Sequence, residues 1–297
     1  MGSPSKNKLF LIAIILALAL LGGLILVSLE KTPVPPPVTI ETPKPRTAVI
    51  GRSVEGRDIE AVTFGEGKDR LIFVGGIHGG YEWNSVLLAY RFIDYLTLNP
   101  DLIPTGLSVT IVASANPDGV YKVTGKEGRF LAGDVLPSQP AGTGRFNANN
   151  VDLNRNFDCN WKPQSTWKSK TVSAGTTTFS EPESQVIRDF VKNENPRAVV
   201  FWHSQSGTVY ASQCQTGILP ETLDIMNSYA KAAGYKTNKT FDSYAITGDA
   251  EGWLASIGIP AVTVELTTHE TIEWEKNLAG VKAILQYFGQ QTKTSPI

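Results

Sequence analysis

The hydrophobic positions of this chain form one long apolar run near the amino terminus, followed by short apolar runs that alternate with helix-period segments. Four short runs are apolar enough to be strands buried on both faces of a sheet. They are Arg70–Ile77, Leu107–Ala115, Arg197–His203 and Pro260–Leu266. Apolar positions recur with helical period at residues 84–98, 181–192, 220–233 and 274–287. This alternation predicts an α/β domain with a mixed, largely parallel central sheet and helices on both faces.

The long apolar run, residues 9–29, has about 21 positions without a charged side chain, enough to cross a hydrocarbon core of about 30 Å. We therefore expect a transmembrane helix that precedes the domain. Lys6 and Lys8 come before it, so the positive-inside rule predicts a short cytoplasmic segment, residues 1–8, and an extracytoplasmic domain on a single-pass cell-membrane protein. A cleaved signal peptide, which would release the domain, is the alternative.

Residues 30–46 are rich in proline and predict an extended linker. The folded domain is then residues 47–297, and we expect it to be monomeric. With 41% hydrophobic residues, the chain can bury a substantial core. Its 27 Lys and Arg nearly balance its 28 Asp and Glu, which argues against a nucleic-acid partner.

Two cysteines are present, Cys159 and Cys214. They are too few for a disulfide framework and wrongly spaced for a zinc knuckle. In a domain outside the cytoplasm they can pair with each other, and two buried thiols are an equal alternative.

Two of the three histidines lie at or just after predicted strands. His78 follows the first strand in a glycine-rich segment that also presents Glu82, and His203 ends the third strand. A catalytic zinc ion takes three nitrogen or oxygen ligands from the protein and leaves one position open. Because ligands bind at the carboxyl ends of strands in α/β sheets, we expect these three side chains to form one zinc site. Taken alone, each histidine is more commonly a core residue.

A zinc hydrolase also needs a carboxylate that is not a ligand, to move a proton from the attacking water to the leaving amine. Glu265 is a charged residue in an apolar strand, and its other possible role is a buried ion pair. Arg145 and Arg155 lie ten positions apart in a polar, aperiodic segment. One can bind a substrate carboxylate, and the other can stabilise an oxyanion.

The order of these motifs resembles the zinc carboxypeptidases of the carboxypeptidase A and B superfamily. The matching motifs are His78 with Glu82, NPDG at 116–119, R-x-N at 145–147, VDLNRNF at 151–157, His-Ser at 203–204 and V-E-L at 264–266. The resemblance covers nearly all of residues 47–297. It implies that fold, metallocarboxypeptidase activity, and one zinc ion on His78, Glu82 and His203.

The same resemblance implies roles for four more residues. Glu265 would be the general base and acid. Asn154 and Arg155 would hold the terminal carboxylate of the substrate, and Arg145 would polarise the scissile carbonyl.

The first motif departs from the family pattern. The family usually has His-x-x-Glu, whereas here Glu82 follows His78 by four positions. An extra residue must therefore bulge in the turn at Gly79 and Gly80 if Glu82 is to reach the metal.

The segment before Glu265 predicts the substrate. Tyr244 would be the family's mobile tyrosine over the substrate, with Tyr210 and Tyr235 as alternatives. Asp249 and Glu251 lie where family members set side-chain preference, which favours a basic terminal residue such as Lys, Arg or diaminopimelate. Their alternative role is to begin a helix, with Asp249 as its N-cap.

The GDAEGW stretch at 248–253 resembles bacterial family members that trim peptidoglycan stem peptides. We therefore expect hydrolysis of the C-terminal peptide or amide bond of an extracytoplasmic peptide. A peptidoglycan stem peptide is one candidate substrate. The alternatives are a zinc deacylase or amidase acting on small acylated amino acids, and a non-catalytic surface-binding domain. His269 is expected at the surface or behind the metal ligands.

Overall fold

The computed structural model of the protein describes residues 5–27, 44–137 and 139–294. The chain divides into two compact units, Met1–Thr42 and Pro43–Ile297. The described residues of the first unit, 5–27, contain helix α1 (Lys6–Val27). The predicted linker, residues 30–46, lies outside the described residues except for its last three positions.

The prediction of a transmembrane helix at residues 9–29 is wrong. Helix α1 begins at Lys6 and so takes in both lysines that the prediction placed before the span. Within residues 5–27, 44–137 and 139–294, no helix has the combined length and apolar character that crossing a bilayer requires. The expected membrane contact through this helix is therefore not supported.

The second unit is built on an eight-stranded mixed sheet with a separate two-stranded hairpin. The sheet strands are β1 (Arg46–Arg52), β2 (Asp58–Phe64), β3 (Asp69–Val74), β4 (Leu107–Val112), β7 (Ala198–Ser204), β8 (Thr208–Ala211), β9 (Lys236–Asn238) and β10 (Ala261–Leu266). The hairpin consists of β5 (Gln164–Trp167) and β6 (Lys170–Ser173).

The strand order in the sheet is β1-β2-β4-β3-β7-β10-β8-β9. The four central strands, β4, β3, β7 and β10, are parallel and correspond to the four predicted strands. Antiparallel pairs occur towards both edges, between β1 and β2, β2 and β4, and β8 and β10. The predicted mixed sheet with a parallel centre is confirmed.

Six α-helices accompany the sheet among the described residues of this unit. They are α2 (Trp83–Leu98), α3 (Pro117–Thr124), α4 (Pro182–Glu194), α5 (Pro220–Ala233), α6 (Ala250–Ser256) and α7 (Trp274–Thr294). The four predicted helices correspond to α2, α4, α5 and α7. Helices α3 and α6 are too short to show a helical period in the sequence.

Alternate residues of each central strand pack on opposite faces of the sheet. In β3, Leu71 and Phe73 join a core with α2, α5 and α7, whereas Ile72 and Val74 join a core with α4 and α6. The sheet is thus covered by helices on both faces, as the sequence predicts. This burial fixes the direction of every strand side chain, including those at the strand ends.

Trp202, the residue before His203, is the largest fully buried side chain of the central sheet. Its indole stacks on Phe73 and on Phe92, with ring centroids 5.3 and 5.1 Å apart. Its Nε1 donates a hydrogen bond to Tyr229 Oη at 3.1 Å. Packing and hydrogen bonding together therefore hold the strand that carries His203.

We predict that Trp202→Ala lowers the free energy of unfolding by about 3–5 kcal/mol, because it leaves a cavity between two aromatic rings. Urea unfolding followed by fluorescence or circular dichroism measures this change. Leu98→Ala is the control, because Leu98 is 80% exposed. The control should change stability by no more than about 0.5 kcal/mol. Equal losses in the two variants would contradict this account of the core.

Candidate metal centre and substrate cavity

The carboxyl ends of three parallel strands carry the candidate ligands and the candidate base. His78 follows β3, His203 lies in β7, and Glu265 lies in β10. In the pairing of β7 with β10, Glu265 is directly opposite His203. The strand ends therefore bring these side chains to one edge of the sheet, as α/β topology predicts.

His78, Glu82 and His203 form a buried group that could hold a metal ion. One ligand atom from each lies within 4.8 Å of the others, and Glu82 Oε2 is 3.1 Å from His203 Nδ1. His78 Nδ1 and Glu82 Oε2 are buried without a hydrogen-bond partner. Buried polar atoms are normally satisfied, and a cation that accepts nitrogen and oxygen donors would satisfy both. The three residues therefore fit a zinc ion.

The four-residue spacing is accommodated by a tight 3₁₀ turn, Gly79–Glu82. Gly79 has φ +46°, a conformation that side chains disfavour. A Cβ atom on Gly79 would lie 2.6 Å from Gly144 O, and one on Gly80 would lie 2.2 Å from a methyl group of Val123. Only glycine fits this turn, which brings Glu82 back to His203.

Glu251 holds the other ring nitrogen of His203. The distance between His203 Nε2 and Glu251 Oε1 is 3.1 Å, and Thr263 Oγ1 donates to the same oxygen at 2.9 Å. Burial lowers the pKa of His203, but Glu82 and then Glu251 raise it well above its usual value. A carboxylate on the outer nitrogen fixes the ring orientation and increases its basicity as a ligand. Sequence reasoning placed Glu251 in the substrate pocket and missed this contact.

Asp152 links His78 with Arg145. Its Oδ1 lies 3.6 Å from His78 Nδ1. Its Oδ2 accepts a hydrogen bond from Arg145 Nε at 3.0 Å and lies 2.9 Å from Arg145 Nη2, which completes an ion pair. Arg145 Nη1 lies 3.9 Å from Glu82 Oε1. Burial, followed by the charge of Arg145, lowers the pKa of His78 well below its usual value. Asp152 belongs to the VDLNRNF motif, so the sequence held the signal for it although no role was predicted.

Asn154 and Arg155 form a second group, in which Asn154 bonds to helix α6 and Arg155 bonds to strand β5. Asn154 accepts from Ala250 N at 2.8 Å and donates to Glu251 Oε2 at 3.3 Å. Arg155 donates to Thr166 O from Nε and Nη2, at 3.3 and 3.1 Å, and to Asn154 O. Within the part of the chain that the structure describes, no carboxylate lies within ion-pair distance of Arg155. Its positive charge is therefore available to a ligand.

Glu265 lines a cavity that also contains His78, Glu82 and His203, and its Oε2 has no hydrogen-bond partner. Burial, followed by repulsion from Glu82, raises the pKa of this carboxyl group to about 8. Among the described residues, no Lys, Arg or His lies within ion-pair distance of it. The alternative role of Glu265 as a buried ion-pair partner is thus not supported.

The cavity has a volume of about 830 Å³. Tyr210 and Tyr244 both line it, and both pack against Phe241, with ring centroids 5.6 and 4.8 Å apart. Burial is the main cause of the raised pKa of Tyr244. Tyr235 instead donates to Glu273 Oε2 at 2.8 Å and packs in the core. Tyr210 and Tyr244 therefore remain as tyrosines that can reach a substrate.

Asp249 begins helix α6 as its N-cap, accepting from Gly252 N at 2.7 Å. Its side chain also lines the cavity. Burial, and then the charge of Glu251, raise the pKa of Asp249 to about 6. The predicted helix-cap role is thus observed, and the carboxylate still faces the space available to a substrate.

Cys159 and Cys214 form a disulfide, with Cα atoms 6.0 Å apart. Both residues line the cavity. The bond ties the loop after Asn154 and Arg155 to the loop after β8, and so closes one side of the site.

We predict that Glu251→Ala weakens zinc binding by roughly 10- to 100-fold, because His203 loses the partner that orients its ring. Competition with a chromogenic chelator measures the affinity. Asp249→Asn, which keeps a good N-cap on the same helix, is the matched control and should bind zinc like the wild type. Wild-type affinity in Glu251→Ala would contradict this role.

Comparison with known proteins places this site in a family. A family model described as zinc carboxypeptidase matches residues 40–294. The gamma-D-glutamyl-L-diamino acid endopeptidase 1 of Lysinibacillus sphaericus is 25% identical over 238 residues, which cover 73% of this chain and 59% of that protein. Carboxypeptidase Z of Homo sapiens is 35% identical over 125 residues, 38% of this chain and 18% of that protein.

The crystal structure of the murein-tripeptide amidase MpaA from Escherichia coli O157 has the same fold. It superposes with a TM-score of 0.58 at 22% identity, covering 86% of this chain and 94% of that one. The chain spans less than two thirds of the length of the two curated relatives above. The family model, in contrast, covers most of the chain, so the protein belongs to the zinc carboxypeptidase family, metallopeptidases that use one zinc ion.

Proposed function

We propose that the protein hydrolyses the peptide or amide bond before the C-terminal residue of a peptide. The observation that carries this proposal is the unpartnered carboxylate of Glu265 beside the His78, Glu82 and His203 group. A buried acid is costly unless it has a task or a partner, and this one faces a cavity rather than a cation. A binding domain without chemistry would have no need of it.

The roles of the residues follow from their contacts. Zinc, when bound, supplies a Lewis acid for the scissile carbonyl and a lowered pKa for water. Glu265 accepts the proton of the attacking water and returns it to the leaving amine. Arg145, 3.9 Å from Glu82 Oε1, stabilises negative charge that develops on the carbonyl oxygen.

Asn154 and Arg155 bind the terminal carboxylate of the substrate. Backbone carbonyls hold the Arg155 guanidinium in place without neutralising it, so an incoming carboxylate forms the missing ion pair. Tyr244 covers the bound residue, with Tyr210 beside it on Phe241. Anchoring of the terminal carboxylate restricts cleavage to the last bond of the peptide.

We propose a peptidoglycan stem peptide that ends in a diamino acid as the substrate class. A terminal diamino acid has a carboxylate for Arg155 and a side-chain amine for Asp249, and both residues line the cavity. The names of two relatives, a gamma-D-glutamyl-L-diamino acid endopeptidase and a murein-tripeptide amidase, support this choice. Such a substrate lies outside the cytoplasm, where the Cys159–Cys214 disulfide would persist.

We predict that the full-length protein contains one zinc ion and cleaves peptides ending in diaminopimelate, Lys or Arg. His203→Ala should lose zinc and turnover together. Glu265→Gln should keep zinc but lower kcat by at least about 100-fold, because it cannot accept the proton. Metal analysis and liquid chromatography of the products measure these outcomes. Normal turnover by Glu265→Gln, or zinc retained at full occupancy by His203→Ala, would contradict the assignment.

The preference of the enzyme for a basic terminal residue tests the proposed role of Asp249. We predict that Asp249→Asn, which preserves the helix cap, lowers kcat/KM for Lys-terminal relative to Leu-terminal peptides by roughly tenfold. Because the pKa of Asp249 is raised to about 6, its charge is present at neutral pH and is lost as the pH falls through that value. The wild-type preference should fall over this pH range, whereas that of Asp249→Asn should not. An unchanged preference in the variant would exclude Asp249 as the basic-residue determinant.

A further inference from the structure

One wall of the cavity combines a lysine with aromatic rings and has no part in the roles proposed above. Lys168 lies at the tip of the β5–β6 hairpin, with φ +55°. Its Nζ donates to Tyr81 Oη at 3.1 Å, although the lysine itself is exposed. Tyr81 immediately precedes the metal ligand Glu82. The hairpin therefore holds an ammonium group beside the metal centre.

Aromatic contacts fix the position of this wall. Tyr81 packs edge to face on Trp167, with ring centroids 5.2 Å apart, and its ring lies 4.6 Å from that of His269. His269 is held in turn, because its Nδ1 lies 2.6 Å from Ser204 Oγ. Lys168 Nζ lies 5.4 Å from the Trp167 centroid. The ammonium thus rests on a packed platform rather than on a free loop.

Lys168 has no acidic partner within residues 44–137 and 139–294, where no carboxylate approaches it to ion-pair distance. Arg145, the neighbouring cation on Trp167, is already paired with Asp152. Lys168 is therefore the cation of this wall that is free to pair with an anionic ligand. A charge held in place and left unpaired at a cavity favours binding of an anion.

We infer that Lys168 binds a substrate carboxylate on the amino side of the scissile bond, an inference that rests on the proposed function. Asn154, which helps to take the terminal carboxylate, bonds to helix α6, and Arg155 donates to Thr166 O in strand β5. Among the described residues neither forms a hydrogen bond with Tyr81 or Lys168, and Lys168 instead bonds to Tyr81, the neighbour of the metal ligand Glu82. On this inference, the Tyr81 wall contacts the residue that precedes the scissile bond.

A γ-linked glutamyl residue has the chemistry that suits this position. Its side-chain carboxyl group forms the scissile amide, so its α-carboxylate stays free and ionised a few bonds away. An α-linked neutral residue offers no such group. The ammonium of Lys168 would therefore distinguish γ-glutamyl peptides from ordinary peptides with the same terminal residue.

The test uses two tripeptides that differ in one group. One is L-Ala-γ-D-Glu-diaminopimelate, and the other carries D-isoglutamine, whose α-carboxamide is neutral. We predict that the wild type prefers the carboxylate peptide and that Lys168→Ala lowers the ratio of the two kcat/KM values about fivefold, as expected for an exposed ion pair. Lys168→Glu should lower the ratio further, and added salt should lower it in the wild type.

Lys170→Ala is the matched control. Lys170 lies on the same hairpin, and its Nζ is 5.7 Å from the same Trp167 ring, but it is not among the described residues that line the cavity. The control should keep the wild-type ratio. An equal fall in both control and Lys168→Ala, or a wild type that does not distinguish the peptides, would overturn the inference.

Measuring tripeptide affinity in the absence of turnover distinguishes a failure of this inference from a failure of the proposed function. In the Glu265→Gln background, calorimetry measures the affinity for both tripeptides without turnover. If the wild type hydrolyses neither tripeptide, the proposed substrate class fails. The subsite would still be supported if Glu265→Gln binds the carboxylate peptide more tightly than the carboxamide peptide and the added Lys168→Ala change removes this difference. Equal affinities in both backgrounds would reject it.

Discussion

The parallel register between β7 and β10 is the constraint on which the site depends. It sets His203 directly opposite Glu265, so a metal ligand and an unpartnered carboxylate share one edge of the sheet. A slip of β10 by one residue would turn Glu265 to the opposite face of the sheet from His203. The register is held by burial, because Trp202 and Val264, the residues just before this pair, are both packed in one core. The chemistry is thus positioned by apolar packing on the neighbouring residues.

A bound cation would relieve the repulsion among the buried carboxylates of the site. Four carboxyl groups lie around the imidazoles of His78 and His203 and the guanidinium of Arg145. They belong to Glu82, Asp152, Glu251 and Glu265. Two sets of ion pairs offset part of the repulsion and of the cost of burial. Arg145 pairs with Asp152, and His203 lies between Glu82 and Glu251. Glu265 has no such relief, and its pKa is raised to about 8. A divalent ion would stabilise the ionised carboxylates, so metal binding and the charge state of the site are coupled.

The central strands and the functional edge of the sheet could be predicted because short stretches of sequence determine them. Runs such as Leu107–Ala115 predict buried strands, and a polar residue at the end of such a run marks the functional edge of the sheet. The helix cap at Asp249 follows from its position before α6. The disulfide, by contrast, required the separation of two loops, which no local pattern contains.

The contacts that escaped prediction join residues far apart in sequence. Glu251 bonds to His203, 48 positions away, and the pairing depends on how α6 packs beside β10. The short hairpin β5–β6 gives little periodic signal, yet it carries Lys168 to Tyr81, 87 positions away. The transmembrane prediction for residues 9–29 is wrong for a different reason, since no helix among the described residues is long and apolar enough to cross a membrane.

Among the described residues that line the cavity, Arg155 and Lys168 are cations without an acidic partner, and their separate positions could orient a substrate. Asn154 bonds to α6 and Arg155 to Thr166 O in β5, whereas Lys168 bonds to Tyr81, the neighbour of the metal ligand Glu82. A ligand with one carboxylate could bind at either cation and would have no fixed position relative to Glu265. A ligand with two carboxylates separated by the scissile amide could satisfy both cations at once, which would place that amide between them. Electrostatic pairing at two points would therefore select both the bond to be cleaved and the direction of the chain, with little contribution from apolar contact.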